Sequence, residues 1–315
     1  MIDHQGAAPF SFDREAIERR LASDGFFWID LHRPTDDELD VIRETFGFHP
    51  LAVEDSEHFD QRPKLEPYDD FVFIVVYGAA PDEDGLVEVH CFYSDRFLVT
   101  IHRDECPAFV EARRRYEHGS AHIQRGVTVL YRVIDALTDS FFPLLADFDD
   151  RIDQVEDQTF SNPNDESLQQ IFAMKRLLVG VRKVITPQRD LFASLLTNVD
   201  ELPGMTPEDE RYFRDIYDHL IRISDLVDSY RDLLTSAMDV YLSSVSNRLN
   251  VVMKQLAVIA TVFLPLSFVV GFFGQNFSWM VTHITGGWTF LLLGVGSEIV
   301  VLLAFIYLFK RRGWF

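Results

Sequence analysis

The chain has 315 residues, 47% of them hydrophobic, and a formal net charge of −21 from 29 basic and 50 acidic residues. This length allows two or more structural units with a sizeable core. A strongly acidic chain argues against nucleic acid as a partner, because phosphate backbones require basic surfaces, and favours cations as ligands.

The N-terminal sequence, MIDHQGAAPFSFDRE, contains neither a basic nor an apolar segment, so no cleavable signal peptide is expected. The only two cysteines are Cys91 and Cys106, and the sequence has no second cysteine pair and no closely spaced Cys/His cluster of the kind that structural zinc needs. A reducing compartment is therefore expected for this part of the protein.

Short β-type runs follow in the first third of the chain. They read FVFIVV (71–76), HCFYS (90–94) and RFLVTI (96–101), and turn signals such as PDEDG (81–85) separate them. The pattern predicts a sheet in this region.

A very long helix is predicted after residue 206. The segment MTPEDE (205–210) is typical of a helix start, with Thr206 as the cap and Pro207 in the first turn. Apolar residues then recur at three- and four-residue steps, with no Gly or Pro before Pro265. A helix over 207–273 would be about 100 Å long.

Two long apolar segments lie near the C-terminus. Residues 256–273 contain no charged side chain, and residues 288–309 contain only Glu298. At about 1.5 Å per residue, each segment can cross a hydrocarbon layer of roughly 30 Å. Both are predicted to be transmembrane helices.

The charges around these segments predict their orientation. From Asn250 onward four basic residues and one acidic residue give a net charge of +3, which leaves −24 for residues 1–249. The loop GQNFSWMVTHITGG (274–287) is uncharged, whereas Lys254 and KRR (310–312) flank the two segments. The positive-inside rule therefore places the loop outside and both termini in the cytoplasm.

Steps of three or four residues from Asn250 through the first apolar segment give a stripe of mostly small or weakly polar residues on one helical face. They are Asn250, Met253, Ala257, Ala260, Leu264, Ser267, Gly271 and Gly274. The stripe could line a pore, or it could mediate close packing between helices. Two helices per chain cannot enclose an aqueous path, so a conducting protein of this kind must oligomerise.

An acidic residue, Glu298, lies near the middle of the second apolar segment, where a charged carboxylate is costly. No basic residue in either segment can pair with it. Glu298 is predicted either to bind a proton in a proton-coupled transporter or to be a neutral carboxyl bonded to a hydroxyl such as Ser297 or Thr261.

The sequence YLSSVSNRLNVVMKQLAVIATVFLPLSFVVGFFGQNF (241–277) closely resembles the CorA-type divalent metal ion transporter family. That family's Gly-Met-Asn motif at the end of the first span reads Gly274-Gln275-Asn276 here. Further segments resemble the family in family order, at 28–40, 47–57, 61–77, 96–102 and 214–244. The likeness covers nearly the whole chain.

The resemblance implies an α+β cytoplasmic domain of the αβα type at 1–125, followed by very long helices that form a funnel at 126–250. It implies a pore-lining transmembrane helix at 251–274, a short extracellular loop at 275–287, a second transmembrane helix at 288–310 and a basic cytoplasmic tail at 311–315. The implied assembly is a funnel-shaped homopentamer in the lipid bilayer of the cytoplasmic membrane.

The implied activity is transport of hydrated divalent cations, Mg²⁺ first and Co²⁺ or Ni²⁺ as further cargo. A ZntB-like branch, which also departs from Gly-Met-Asn, moves Zn²⁺ and is linked to protons. A non-conducting, membrane-anchored metal sensor or scaffold is the second alternative. An enzyme is not expected, since the sequence contains no phosphate loop, nucleophile elbow or HExxH motif.

The resemblance assigns the selectivity filter to Gly274, Gln275 and Asn276, whose amide and backbone oxygens would hold Mg²⁺ through its water shell. Asn276 could instead be a helix C-cap. The pore-lining positions of the family correspond to Asn250, Leu256, Leu264, Ser267 and Gly271, and Leu256 would belong to a hydrophobic constriction. Gln275 in place of methionine, together with the uncharged loop, implies weaker electrostatic loading of cations than in many members.

Intracellular Mg²⁺ closes the pore in this family by binding acidic residues between neighbouring subunits. The matching positions are Asp55 and Asp215, with Glu54 and Asp135 as a second candidate site. Carboxylates are suitable hard ligands for the ion. Because acidic residues are so frequent in the chain, each of these could also be a solvated surface charge. His283 in the outer loop is either a ligand for a softer metal or a solvated side chain.

Overall fold

The computed structural model describes residues 14–23, 25–80, 85–117, 125–161, 164–197 and 202–313. The signal-peptide expectation rests mainly on residues outside this description, as do most of the predicted PDEDG turn and the end of the basic tail. The chain divides into two compact units, Met1–Val240 and Tyr241–Phe315.

The first unit begins with mixed helices and strands and continues with helices alone. Its elements are α1 (Arg14–Leu21), β1 (Phe27–His32), α2 (Asp36–Phe46), α3 (Pro50–Glu57), β2 (Lys64–Pro67), β3 (Val72–Ala79), β4 (Leu86–Tyr93), β5 (Phe97–His102), α4 (Pro107–Glu117), α5 (Gly126–Asp139), α6 (Phe141–Ser161), α7 (Asp165–Leu195) and the first part of α8 (Glu210–Phe273).

The five strands form one sheet in the order β1-β5-β4-β3-β2. Strand β1 pairs with β5 in parallel, and the other neighbours are antiparallel. Residues of β3, β4 and β5 are almost all buried, which explains why their sequences are continuous apolar runs. The predicted sheet is confirmed.

Helical segments cover both faces of this sheet. On one face Phe48, which follows α2, stacks on Phe92 of β4 with ring centroids 4.2 Å apart. On the other face Gly78 of β3 lies against Leu137 of α5. The β3–β4 register places Gly78 opposite Val87, so Gly78 and Phe92 point to opposite faces. The αβα arrangement that the resemblance implies is therefore confirmed.

Gly78 is required where α5 approaches the sheet. A Cβ atom at this position would lie 2.8 Å from Leu137 Cδ2 and 3.2 Å from the Leu137 carbonyl oxygen. We expect Gly78→Val to lower the free energy of unfolding by about 1–3 kcal/mol, because the added atoms overpack a tight contact. Gly25→Ala is the control, since nothing lies within 4 Å of its added Cβ. Thermal unfolding that is equal for the two variants would contradict this account.

The long helix α8 begins at Glu210 and not at residue 207 as the sequence pattern predicts. The cause is Asp209, which is 4% exposed. Its Oδ2 atom accepts hydrogen bonds from the Thr206 N–H and hydroxyl at 2.8 and 2.6 Å, and from Arg125 Nη2 at 2.8 Å. These bonds close a separate turn, and the regular helix starts after it.

Packing of α8 in the first unit follows the predicted apolar stripe. The stripe residues Ile216, Leu220, Ile223, Val227 and Leu234 are each at most 1% exposed. They belong to the same buried cluster as the sheet and the helices α5 to α7. Burial of this one face accounts for the helical period of the sequence.

The second unit contains the end of α8, then α9 (Ser278–His283), α10 (Gly287–Thr289), a π-helical segment (Phe290–Val295) and α11 (Gly296–Arg311). Two helical segments are long and apolar enough to cross a membrane, one within Glu210–Phe273 and one at Gly287–Arg311, and their apolar windows are not buried inside the chain. The second predicted span is thus a helix with a π-helical part, and the predicted loop contains a short helix, α9.

Candidate pore mouth and regulatory metal site

The Gly274-Gln275-Asn276 motif occupies the turn between α8 and α9. Helix α8 ends at Phe273, and the Gly274 N–H donates to the Val270 carbonyl at 2.9 Å. A Cβ atom on Gly274 would lie 3.1 Å from that same oxygen, so the turn favours glycine. Since α8 ends at Phe273, Gly274 occupies the C-cap position, and Asn276 lies two residues beyond it.

The amide side chains of the motif are available for a ligand. Gln275 and Asn276 are exposed. Within residues 202–313, no hydrogen bond engages either side-chain amide, although the Gln275 N–H donates to the Phe272 carbonyl at 3.3 Å. Exposed, unengaged amides at the end of a long apolar helix are suited to contacting the water shell of a cation.

A cavity of about 480 Å³ lies beside the motif. Its wall includes Gly274, Gln275 and Asn276 from the turn, Met280 from α9 and Glu298 from α11. Of the described residues that line it, Glu298 alone is titratable. Glu298 of the second predicted span therefore lines the same cavity as the amides of Gln275 and Asn276, which follow the first.

A π-helical segment, Phe290–Val295, precedes Glu298. The Ser297 hydroxyl donates to two carbonyls of its own helix, those of Leu293 and Gly294. In the described part of the second unit, no hydrogen bond joins Glu298 to Ser297 or to Thr261, the hydroxyls that the sequence offers as partners. π-Helical turns leave backbone groups without regular helical partners and often occur at functional sites.

The positions that the family resemblance assigns to the pore are all exposed on the subunit. They share roughly one side of α8, at Asn250, Leu256, Leu264, Ser267 and Gly271. Leu264 is 72% exposed and Leu256 is 57% exposed. Large apolar side chains left uncovered on this scale require lipid or another protein surface.

His283 is engaged on its own helix α9. Its ring stacks on Trp279 at 4.8 Å, and its Nδ1 atom lies 3.1 Å from the Trp279 carbonyl oxygen and 3.0 Å from Thr282 Oγ1. One ring nitrogen is thereby occupied. His283 is not among the described residues that line the cavity beside the motif.

In the first unit, an acidic cluster joins α5 to the start of α8. Potential ligand atoms of Asp135, Asp139 and His219 all lie within 4.8 Å of one another. His219 Nδ1 is 3.1 Å from Asp139 Oδ1, and His219 Nε2 is 3.8 Å from Asp215 Oδ1. This is the only such group of three found among the described residues, and it includes Asp135 and adjoins Asp215, two of the predicted regulatory residues.

The electrostatic environment of the cluster is strongly negative. The Tyr131 hydroxyl donates to Asp215 Oδ2 at 3.4 Å. Burial, together with the charges of Asp135 and Asp215, raises the pKa of Tyr131 well above its ordinary value. A divalent cation would relieve the repulsion among these carboxylates.

Asp139 and His219 were not identified from the sequence. Each lies four residues from a predicted ligand, Asp139 after Asp135 and His219 after Asp215. Residues four apart share one face of a helix, so this spacing was the available signal. It is weak on its own in a chain with 50 acidic residues.

Asp55 and Glu54 lie elsewhere, on α3. Lys64 Nζ is 2.5 Å from Asp55 Oδ2 and 2.9 Å from Glu66 Oε1, so Asp55 is paired within its own chain. Glu54 is exposed. Within the described part of one chain, neither residue joins the Asp135–Asp139–His219 cluster.

Comparison with known proteins identifies the family. The model of the CorA-like Mg²⁺ transporter protein family matches residues 23–311. The cobalt/magnesium transport protein CorA of Thermotoga maritima is 36% identical over 91% of this chain and 83% of its own length. The zinc transport protein ZntB of Yersinia enterocolitica is 27% identical over 68% of this chain and 66% of its own.

A solved structure agrees with this result. The complete structure of the CorA magnesium transporter from Methanocaldococcus jannaschii superposes with a TM-score of 0.81, at 26% identity, and covers 91% of each chain. It shares the α/β N-terminal domain, the long helix and the C-terminal helices that could span a membrane. The chain therefore belongs to the CorA-like Mg²⁺ transporter family, whose members are ion transporters and not enzymes.

Proposed function

We propose that this protein carries hydrated divalent cations across the cytoplasmic membrane, with Mg²⁺ as the main cargo and Co²⁺ or Ni²⁺ as further cargo. The observation that carries the proposal is the turn at Gly274-Gln275-Asn276, where two unengaged amide side chains follow a helix long enough to span a membrane. Family membership and the magnesium and cobalt transport names of the relatives support it.

The chemistry of the turn suits an ion that keeps its water. Mg²⁺ gives up its water shell reluctantly, so a first binding site is better made of hydrogen-bond acceptors than of groups that replace the water. The side-chain oxygens of Asn276 and Gln275 are such acceptors, and they carry no fixed charge to trap the ion. Repetition of this turn around a symmetry axis would make a ring of amides.

An oligomer follows from the membrane-spanning helices. Two helices per chain cannot enclose a pore, and the exposed apolar side chains of α8 and α11 need cover. We therefore propose a homopentamer with α8 around the pore, the loop at 275–287 outside and both termini in the cytoplasm. Native mass spectrometry of the detergent-extracted protein is expected to give five subunits.

The acidic cluster is proposed as a regulatory metal site. Asp135, Asp139 and His219 offer oxygen and nitrogen ligands on one subunit, and Asp215 lies at its edge. Asp55 and Glu54 would approach from a neighbouring subunit. Bound Mg²⁺ would hold the subunits together, and its loss would leave carboxylates that repel one another.

Metal content of cells tests the transport proposal. Expression in bacteria that lack their own magnesium uptake is expected to restore growth at low Mg²⁺ and to raise cell magnesium, measured by mass spectrometry. Membrane-inserted protein that changes the cellular content of neither Mg²⁺ nor any other divalent metal would instead favour a non-conducting sensor or scaffold.

A proton-linked Zn²⁺ transporter is the second candidate, and Glu298 is the observation that favours it. This residue is the titratable group of the cavity that also contains the motif amides. Its protonation would change the charge beside Gln275 and Asn276 by one unit. The similarity to ZntB is consistent with this alternative.

Glu298→Gln tests the proton link, because glutamine mimics the neutral carboxyl. If Glu298 binds the coupled proton, the variant is expected to take up Zn²⁺ at a rate that no longer depends on pH, while wild-type uptake follows the imposed gradient. Ser297→Ala is the neighbouring control and should keep the wild-type pH profile. An unchanged pH profile in Glu298→Gln would exclude coupling through this residue.

A further inference from the structure

A second cavity, of about 660 Å³, lies in the first unit. None of the residues of the acidic cluster lines it. Strand β4, helix α7 and the segments that follow α3 and β5 form its walls. Four cationic side chains line it: Arg62, Arg103, Arg176 and Lys183. Such a concentration of basic residues is unusual in a part of the chain with a net charge of −24.

Three of these cations have no acidic partner in the part of the chain that the structure describes. Among the described residues, no ion pair or hydrogen bond engages the side chains of Arg62, Arg176 or Lys183, and all three are exposed. By contrast Arg182, next to Lys183, is paired with Asp228 at 3.3 Å. Unpaired cations that converge on a cavity form a binding site for anions.

Helix α7 presents its two cations on one face. Arg176 and Lys183 are two helical turns apart, and Gly180 lies between them on the same face, together with Ala173. The nearest atom to a Cβ added at Gly180 would be Leu86 Cδ1 at 3.7 Å, so the face remains open between the two charges. The spacing suits an elongated anion with several charged groups.

The buried acid of the cavity lining, Glu88, is already engaged by other groups. Glu88, which is 6% exposed, accepts hydrogen bonds from the N–H groups of Asp60 and Gln61 at 2.6 and 3.0 Å, and its Oε1 lies 2.7 Å from His90 Nε2. The carboxylate of Glu88 is thus turned inward and satisfied. Apart from Glu88, the acidic residues of the lining are Asp60 and Asp104, so the four cationic side chains outnumber them.

Neither of the two aromatic side chains that line the cavity, Phe59 and Tyr77, is available to stack on a ligand. Tyr77 is only 7% exposed, and its hydroxyl donates to the Gln61 carbonyl at 2.6 Å. Arg103 covers one side of Phe59, at 4.3 Å from the ring centroid, and Phe59 also stacks on His90 at 4.7 Å. A nucleobase would therefore find no free aromatic face here. A ligand must therefore be recognised by its charge. One Arg guanidinium can donate two parallel hydrogen bonds to two oxygens of a phosphate group.

We propose that this cavity binds a polyphosphate chain, either inorganic or carried by a nucleotide, through Arg62, Arg103, Arg176 and Lys183. The bound polyphosphate would connect α7 to the sheet, because residues of both line the cavity. This site is independent of the proposed cation transport and of the acidic cluster.

Isothermal titration calorimetry on the full-length protein in detergent, in metal-free buffer, tests the site. Inorganic triphosphate and ATP are expected to bind with similar affinity, and adenosine is expected not to bind. Arg176→Gln/Lys183→Gln should weaken both ligands by at least about tenfold, because charge-assisted bonds to phosphate are lost. Arg62→Gln should weaken them in the same direction from a different wall.

The control variant, Lys175→Gln/Arg182→Gln, removes two charges from the same helix but leaves the cavity's four cations. It should change affinity by less than about twofold, because neither side chain lines the cavity and Arg182 is already paired with Asp228. Absence of saturable triphosphate binding, equal losses in both double variants, or much tighter binding of ATP than of triphosphate would overturn the proposal. None of these outcomes depends on whether the protein transports a cation.

Discussion

Asn276→Ala is expected to reduce divalent cation uptake by about tenfold or more, with the oligomer intact. Asn276 follows α8 without capping it, and its amide forms no hydrogen bond in the described part of the chain, so its loss should leave the fold unchanged. The variant loses a hydrogen bond to the water shell of the ion in every subunit. One hydrogen bond to a charged group contributes about 1.5 kcal/mol or more, which corresponds to roughly tenfold.

The matched control is Ser278→Ala, two residues further along at the start of α9. It should retain wild-type uptake. Both variants must elute as the same oligomer and unfold at the same temperature as the wild type. Uptake by Asn276→Ala at the wild-type rate would remove this residue from the pore mouth.

Asp55→Ala/Asp215→Ala is expected to abolish protection from proteolysis by Mg²⁺, or to raise the Mg²⁺ concentration needed for protection by at least about tenfold. Asp215 adjoins the Asp135–Asp139–His219 cluster, and the loss of Asp55 leaves Lys64 paired with Glu66 alone. Both effects weaken metal binding. The measurement is the rate of limited proteolysis as Mg²⁺ is titrated.

Asp69→Ala/Asp225→Ala provides the comparison, since it removes two exposed acidic charges from other places on the same unit. Its protection profile should match that of the wild type. Protection that persists in Asp55→Ala/Asp215→Ala would contradict the regulatory role of these residues. Protection lost equally in both variants would mean that overall charge, and not a site, controls the response.

The sequence predicts the sheet and both apolar helices because their signals are local. Buried strands such as β3 are continuous apolar runs, and α8 repeats apolar residues at helical spacing. The sequence pattern places the start of α8 three residues too early, because the turn before it depends on Arg125, which is distant in sequence and holds Asp209. The π-helical segment at Phe290–Val295 leaves no pattern in an apolar run, so it could not be predicted.

The candidate sites divide in the same way. The motif at 274–276 is contiguous and could be identified from its resemblance to the family. The regulatory cluster combines α5 with α8, so its members Asp139 and His219 emerge only when the two helices are packed together. The neighbouring position of Glu298 and the motif amides likewise depends on how α11 packs against the end of α8.

Conduction of hydrated divalent cations by this protein is measured as uptake into proteoliposomes. Purified protein is reconstituted with trapped Mg²⁺- and Zn²⁺-sensitive dyes, with and without an imposed pH gradient. We expect Mg²⁺ entry that does not depend on the gradient and that Asn276→Ala slows by about tenfold or more. Zn²⁺ entry that follows the gradient would favour the proton-linked alternative, and entry of neither ion would contradict the claim of transport.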